Sequence, residues 1–218
     1  MLDTARLVAL LQPFADVSSD LAAQLQTYLD LLLRWNARIN LTAVRDPEQI
    51  VTRHFGESLF AARVLRDAGA FAHTTPTLSD IGSGAGFPGI PIKLFAPQIH
   101  LTLIESQNKK ATFLRELIRT LNLADAEVFH GRAEDWHRAS DIVTLRAVEN
   151  FADILPVAAN LVAPDGKIGL LIGSAQITSA KAILGSSWRW AEPAPIPLSQ
   201  QRTVIVVNRL HDLAETKQ

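Results

Sequence analysis

Cysteine is absent from this chain of 218 residues. Without a thiol the protein can form no disulfide, use no cysteine nucleophile and offer no cysteine ligand to zinc, and we expect no metal site. Long apolar runs are missing too, since none approaches the roughly 18 to 20 residues that a membrane helix needs. The N-terminal segment also lacks a basic stretch ahead of an apolar one. We therefore expect a cytoplasmic protein with no membrane partner.

The chain has no excess of charge of either sign, because its formal net charge at pH 7 is -1. A strongly basic balance would have indicated a nucleic-acid partner, so any such partner has to be held by a local patch. With 48% hydrophobic residues the chain can bury one sizeable core. We expect a globular monomer.

Two helical patterns occupy the N-terminal third. Apolar residues recur at helical spacing at Leu21, Leu25, Leu29 and Leu32. A second pattern begins at Asp46, a suitable N-cap, with Pro47 at the first helical position. These patterns predict a helical extension over residues 1–70, packed on a core formed by residues 71–218.

Short apolar runs alternate with helical patterns from Thr77 onward. The runs are "TLSDI", "HLTLIE", "AEVFH", "DIVTLR" and "KIGLLIG", and such alternation is typical of βαβ units. A last run, "TVIVV", follows no helix of crossover length. The pattern predicts an α/β, Rossmann-like fold, with helices on both faces of a mostly parallel sheet and an antiparallel last strand.

Glycine is scarce, yet four of the 11 glycines lie within Gly82 to Gly89, directly after a predicted strand. Glycines there let the backbone approach a ligand closely. The next helix would direct its N-terminal amides toward the same ligand. Together these features indicate a nucleotide or nucleoside site. The loop contains the dinucleotide pattern G-x-G-x-x-G, which suits NAD, and also an acidic residue, Asp80, followed by G-x-G-x-G. Glu105 ends the next strand, where a carboxylate can accept hydrogen bonds from ribose hydroxyls in either class. A glycine turn that merely packs strand on helix is the third interpretation.

Six stretches resemble, in their order and spacing, the RsmG (GidB) family. They are "RWNARINLTAV", "RHFGESL", "LSDIGSGAGFPGIPIKLFAP", "LTLIESQNKKATFLREL", "GRAEDW" and "DIVTLRAV". The resemblance implies a class I methyltransferase that uses S-adenosyl-L-methionine to methylate N7 of a specific guanine in 16S ribosomal RNA. It implies the RNA, or the 30S subunit that contains it, as partner.

The same resemblance implies roles for individual residues. It gives cofactor contacts to Gly82, Phe87, Ala133, Glu134 and Arg146, to which the general methyltransferase pattern adds Gly84 and Glu105. It gives Arg132 and Arg146 a place at the active site. Guanine N7 carries a lone pair and no proton, so we expect no general base. An arginine at the base should then bind O6, a phosphate or the methionine carboxylate and leave N7 free.

RNA contacts are expected from Lys109, Lys110, Arg132 and His54. Lys109 and Lys110 directly follow the acidic strand end, whereas Arg115 and Arg119 fit a solvated helix face equally well. Further arginines lie in or beside the predicted N-terminal helices, at Arg34, Arg38, Arg45 and Arg53.

Three features depart from the family pattern. Ile172 stands where a lysine is usual, Glu57 stands for an aspartate, and the C-terminal segment "NRLHDLAETKQ" lacks a basic Pro-Arg extension. Loss of basic residues weakens RNA binding. Two alternatives therefore remain beside the methyltransferase: an NAD-dependent oxidoreductase, and a ribosome-assembly factor that binds S-adenosylmethionine without catalysis.

Overall fold

A computed structural model describes residues 2–148 and 150–210 of the chain. Its strands are β1 Thr77–Ile81, β2 His100–Glu105, β3 Ala126–His130, β4 Ser140–Arg146, β5 Val162–Gly173, β6 Trp188–Trp190, β7 Ala194–Pro195 and β8 Arg202–Arg209. They form one sheet in the order β3-β2-β1-β4-β5-β8-β6, with β7 also paired to β8. Strands β1 to β5 run parallel and β8 is antiparallel to β5. The predicted mostly parallel sheet and antiparallel last strand are confirmed.

The helices are α1 Thr4–Leu11, α2 Ser19–Asn36, α3 Pro47–Ile50, α4 Glu57–Asp67, α5 Gly89–Phe95, α6 Asn108–Thr120, α7 Phe151–Asn160 and α8 Ile177–Leu184. Asp46 caps α3 as predicted, because its carboxylate accepts a hydrogen bond from the Gln49 N–H. The single helix predicted from Asp46 onward is in fact divided, since a π-helical turn, Val51–Gly56, separates α3 from α4. Helices α1 and α8 were not predicted.

Both faces of the sheet are covered, as predicted, because side chains alternate along each strand. Leu78 and Leu101 pack in a core that includes buried residues of α1, α2 and α6, whereas Ile81 and Ile104 pack in a core with α7 and α8. The first core includes Leu25 of α2 together with sheet residues. The N-terminal helices thus share a core with the sheet.

The strand order reverses between β1 and β4. From β1 the chain proceeds outward through β2 and β3, then returns to place β4 on the other side of β1. In such sheets ligands bind outside the carboxyl ends of the strands at this reversal. No helix within residues 2–148 and 150–210 is long and apolar enough to cross a membrane.

Candidate active site

The glycine loop follows β1 at the reversal point. Gly82 has φ +66, and a Cβ there would lie 3.0 Å from Val148 Cγ1. Gly86 has φ +94, and a Cβ there would lie 2.6 Å from the Tyr28 hydroxyl oxygen. Both positions combine a left-handed backbone with a close neighbour, so the loop requires glycine at each.

Asp80 holds the strands beneath this loop. Its fully buried carboxylate accepts hydrogen bonds from the Thr144 hydroxyl at 2.7 Å and the Gly89 N–H at 3.2 Å. Burial raises the pKa of Asp80 to about 6, against the opposing effect of those hydrogen bonds. The carboxylate therefore links β1, β4 and the start of α5, and its role is structural.

A crevice of about 340 Å³ lies between the glycine loop and the ends of β2 and β4. We call it the glycine-loop crevice, and it is lined by Ile81, Gly82, Ile104, Glu105, Ser106, Gln107, Lys110, Gly131, Arg132, Ala133, Glu134, Ala147, Val148, Asn150 and Ile154. The two oxygens of Glu105 accept hydrogen bonds from the Gly84 N–H at 2.9 Å and the Gln107 N–H at 2.7 Å. A fixed carboxylate beside isoleucine, alanine and valine side chains suits a nucleoside, whose ribose hydroxyls can bond the carboxylate while the flat face of its base packs on the apolar side chains.

Not every residue predicted to contact the cofactor lines this crevice. Gly82, Glu105, Ala133 and Glu134 do, as do the predicted RNA contacts Lys110 and Arg132. Gly84 acts through its N–H on Glu105. Phe87 is buried below the loop, where its ring stacks on Tyr28 with centroids 5.3 Å apart and on His54 at 4.9 Å. Lys109 is exposed on α6.

A second chamber of about 340 Å³ adjoins the crevice. Ala147 and Val148 line both cavities and form a shared wall. The other lining residues of the second chamber come from the π-helical turn, the first residues of α4 and α7, the ends of β4, β5 and β8, and the segments after β5 and β7. They are Arg53, His54, Glu57, Leu145, Arg146, Phe151, Leu171, Ile172, Gly173, Gln176, Ile196 and Arg202. Ile172, in the place of the family lysine, is itself buried.

Arg146 is the central charge of the second chamber, with a side chain only 12% exposed. Its Nη2 donates to the Arg53 carbonyl at 2.7 Å and lies 3.4 Å from Glu57 Oε2. The other Glu57 oxygen forms a salt bridge with Arg202 Nη1 at 2.8 Å. Within the described residues, every hydrogen bond of the Arg146 side chain involves Nη2, so its Nε and Nη1 donors are available to a ligand.

The π-helical turn supplies part of this arrangement. At its end the Glu57 N–H bonds the His54 carbonyl, and the Arg53 carbonyl accepts from Arg146 Nη2. Burial lowers the pKa of Arg146 and raises the pKa of Glu57, while the two arginines act on Glu57 in the opposite direction. One buried carboxylate thus holds two guanidinium groups.

His54 is neutral in this setting. Burial, followed by the charges of Arg146 and Arg53, lowers the pKa of His54 to about 3. Arg146 Nη2 donates to its Nδ1 at 3.0 Å, which leaves the proton on Nε2, 2.8 Å from the Thr42 hydroxyl. Arg132, by contrast, has a side chain 74% exposed and pairs with Glu134 at 3.2 Å on the rim of the crevice. The two arginines predicted at the active site therefore have different surroundings.

Sequence reasoning missed Tyr28 and Arg202. The Tyr28 hydroxyl donates to the Ala85 carbonyl within the glycine loop, although Tyr28 belongs to α2. The only available signal was that Tyr28 is the single tyrosine of the chain, inside a leucine stripe. Arg202 offered none, because its pairing with Glu57 depends on where β8 lies in the sheet.

Comparison with known proteins adds to this geometry. A family model described as GidB, rRNA small subunit methyltransferase G, matches residues 21–183. The chain belongs to this family. Curated members include the ribosomal RNA small subunit methyltransferase G of Xanthomonas campestris, 40% identical over 198 residues that cover 88% of this chain and 89% of that protein. The Roseiflexus castenholzii protein of the same name is 39% identical, and the match covers 84% of this chain and 81% of that protein.

Solved structures share the fold of this methyltransferase G family member. The ribosomal protein L11 methylase of Lactobacillus delbrueckii has a TM-score of 0.59 at 16% identity and covers 72% of this chain and 80% of its own. Pyrococcus horikoshii TYW2, solved in complex with MeSAdo, has a TM-score of 0.59 at 14% identity, and the match covers 72% of this chain and 62% of the TYW2 chain. These likenesses confirm the class I methyltransferase fold, and the family match confirms the predicted resemblance. Neither the oxidoreductase nor the non-catalytic alternative is favoured.

Proposed function

We propose that this protein transfers a methyl group from S-adenosyl-L-methionine to N7 of a specific guanine in 16S ribosomal RNA. The observation that carries this proposal is the pair of cavities that share the wall of Ala147 and Val148 at the strand reversal. One cavity suits a nucleoside, and the other presents guanidinium donors. Methyltransfer requires two ligands side by side, and family membership supports an RNA as the second.

The glycine-loop crevice has the residues that the cofactor needs. Glu105 would accept hydrogen bonds from the ribose hydroxyls, and Ala133 and Glu134 would lie along the adenine. Gly82 leaves room for the chain that follows the ribose, because a side chain there would meet Val148. Gly84 fixes Glu105, and Phe87 supports the loop from below. S-adenosylmethionine supplies an activated methyl group on a sulfonium.

The second chamber would receive the target guanine. Arg146 would use its free Nε and Nη1 donors on guanine O6 or on the methionine carboxylate, which leaves N7 free to react. Proton removal is not needed at N7. Among the described lining residues, His54 has its Nδ1 occupied by Arg146 and Glu57 is held by two arginines, so neither of them is a free base. Rate then comes from positioning the nitrogen against the methyl group. Methylation leaves a positive base next to Arg146 and Arg202, and this repulsion favours product release.

The rim of the crevice would hold the RNA backbone. Lys109, Lys110 and Arg132 are close to the crevice and carry charges that suit phosphates. His54 lines the second chamber and would contact the RNA as an uncharged ring, since Arg146 and Thr42 already engage its two nitrogens. The C-terminal segment after Leu210, in which a departure from the family pattern was predicted, lies outside the described residues.

The wider setting follows from this reaction. We propose that a monomer acts on the 30S subunit or its RNA in the cytoplasm, where that substrate is found. Residues 1–70 would serve as a helical extension and residues 71–218 as the methyltransferase core.

The test is transfer of a radiolabelled methyl group to 30S subunits from a strain that lacks its own enzyme. Cleavage with borohydride and aniline then locates N7-methylguanine. One cleavage site is the expected result. Absence of incorporation, with S-adenosylhomocysteine still bound in calorimetry, would overturn the substrate assignment. Selective binding of NAD would overturn the cofactor.

A further inference from the structure

A third cavity lies away from both parts of the active site. It is a groove of about 270 Å³ between the end of α2 and the middle of α6, lined by Leu31, Arg34, Trp35, Arg38, Ile39 and Glu116. Its volume is below the roughly 300 to 1,000 Å³ of pockets for drug-sized ligands. The groove therefore suits a fragment as small as one nucleobase.

Trp35 supplies an aromatic wall to this groove. The side chain is half-buried, and its ring meets Phe113 of α6 at a tilt of 64° with centroids 5.6 Å apart. Phe113 is fully buried, so Trp35 is held in place from the core side while it lines the groove. A fixed, partly exposed indole ring is a typical platform for an unstacked base.

Basic side chains lie on both helices that form the groove, and two of them, Arg34 and Arg38, line it together with Glu116. Six basic side chains lie on α2 and α6 or just beyond the end of α2, and within the described residues none of them forms an ion pair: Arg34, Arg38, Lys109, Lys110, Arg115 and Arg119. Some exposed arginines elsewhere are neutralised, as Arg66 is by Asp67 and Arg138 is by Glu127, whereas Arg189 on β6 also lacks an ion pair within the described residues. Unneutralised cations on adjacent helices favour a polyanion as the occupant.

The groove is connected to the active site by α6. Lys110, near the start of α6, lines the glycine-loop crevice, whereas Glu116, farther along, lines the groove. The 13 residues of α6 span about 20 Å. Basic side chains of α6 therefore lie between the level of the crevice and the level of the groove.

We propose that this groove binds an unpaired nucleobase of the ribosomal RNA, distinct from the target guanine. Trp35 stacks on the base, and Arg34 and Arg38 contact the phosphates on either side. Glu116 accepts a hydrogen bond from an amino group of the base and repels phosphate, so the base enters the groove and the phosphates stay at its rim. This inference rests on the proposed function, because it takes RNA to be the substrate.

The test compares Arg38→Glu with Arg189→Glu. Arg189 is exposed on β6, the last strand at the opposite edge of the sheet from β3, and the substitution changes the net charge equally. We expect Arg38→Glu to raise the KM for 30S subunits by about tenfold and to reduce the slope of log affinity against log salt by about one. The kcat and the affinity for S-adenosylhomocysteine should stay at wild-type values. Trp35→Leu should raise the KM without a change of salt slope.

Direct binding of 30S subunits and of protein-free 16S RNA at low salt is measured beside turnover. Equal effects of Arg38→Glu and Arg189→Glu would overturn the proposal, because only the overall charge would matter. A loss with subunits that is absent with protein-free RNA would also overturn it, since the occupant would then be a ribosomal protein. If wild-type protein binds RNA and never methylates it, the proposed function fails, while the groove is still judged from the binding data.

Discussion

The two halves of the active site share a wall but differ in how they are built. The glycine-loop crevice is shaped by backbone: glycines with positive φ, amide groups and one carboxylate that accepts from two of them. The second chamber is shaped by charged side chains, in which Glu57 holds Arg146 and Arg202. The crevice can therefore be damaged by adding a single carbon atom. The chamber is damaged by removing a charge, because the charges that remain have lost their partner.

The largest effect is expected from Glu57→Ala. Loss of this carboxylate leaves Arg146 buried without an opposite charge, so the free energy of unfolding should fall by about 3 kcal/mol. Methyl transfer should fall by about 100-fold, because Arg146 is no longer positioned. Urea unfolding and the transfer assay measure these changes. Glu57→Asp, which keeps the charge, is the control and should lose less stability and less activity. Equal losses in the two variants would show that the length of the side chain matters more than its charge.

The reciprocal test of the crevice is Gly86→Ala. The added Cβ would lie 2.6 Å from the Tyr28 hydroxyl oxygen, so the loop must shift and S-adenosylhomocysteine should bind at least about tenfold more weakly. Calorimetry gives the affinity. Gly185→Ala is a matched control, since Gly185 also has positive φ but an added Cβ there would meet nothing within 4 Å. Normal affinity in Gly86→Ala would mean that the loop does not need Tyr28 in its present position.

Acid should affect the two regions in opposite ways. His54 has a pKa of about 3 in the folded protein against an ordinary 6.5, so its contribution to stability is complete above pH 6.5 and is lost as the pH falls. Asp80 has a pKa of about 6 against 3.8, so its contribution is complete below pH 3.8 and is lost as the pH rises through 6. Between pH 3.8 and 6.5, Asp80→Asn should lose more stability on acidification than the wild type, and His54→Gln less. Parallel curves of unfolding free energy against pH would contradict this assignment.

The smallest effect is expected from Arg132→Ala. Because its ion pair with Glu134 is exposed, the free energy of unfolding should change by less than about 0.5 kcal/mol. Turnover at saturating 30S subunits should persist, with a raised KM for the subunits. Arg146→Ala, measured beside it, should lose stability and kcat together. Equal losses of stability and kcat in the two variants would contradict the assignment of Arg132 to the exposed rim and of Arg146 to the buried chamber.

The crevice could be predicted because its parts are contiguous in sequence. The glycine loop directly follows β1, Glu105 ends β2, and Ala133 and Glu134 directly follow Arg132. Predicted strand ends and short motifs were therefore enough to locate these residues. The second chamber joins Glu57, Arg146 and Arg202 from three distant segments. Arg202 comes within reach only because β8 pairs with β5, with Gly173 opposite Arg202. That register depends on the whole sheet, which no local pattern encodes.

Tyr28 was missed for a different reason. A buried aromatic residue in a leucine stripe has the same pattern whether it packs in the core or holds a loop. The hydroxyl bond to Ala85 depends on how α2 lies across the glycine loop. The π-helical turn was missed similarly, since its apolar spacing differs little from that of an α-helix over so short a segment.

The position of β8 has a consequence for synthesis on the ribosome. Among the described residues this strand is the last to be translated, yet it lies inside the sheet, between β5 and β6. Every lining residue of the glycine-loop crevice precedes Arg202 by more than 40 positions in the chain and is made before it. A nascent chain thus holds all the side chains for its cofactor while Glu57 still lacks one of its two arginines. The second chamber is then complete, with Glu57 paired to Arg202, only after the first residues of β8 have been made.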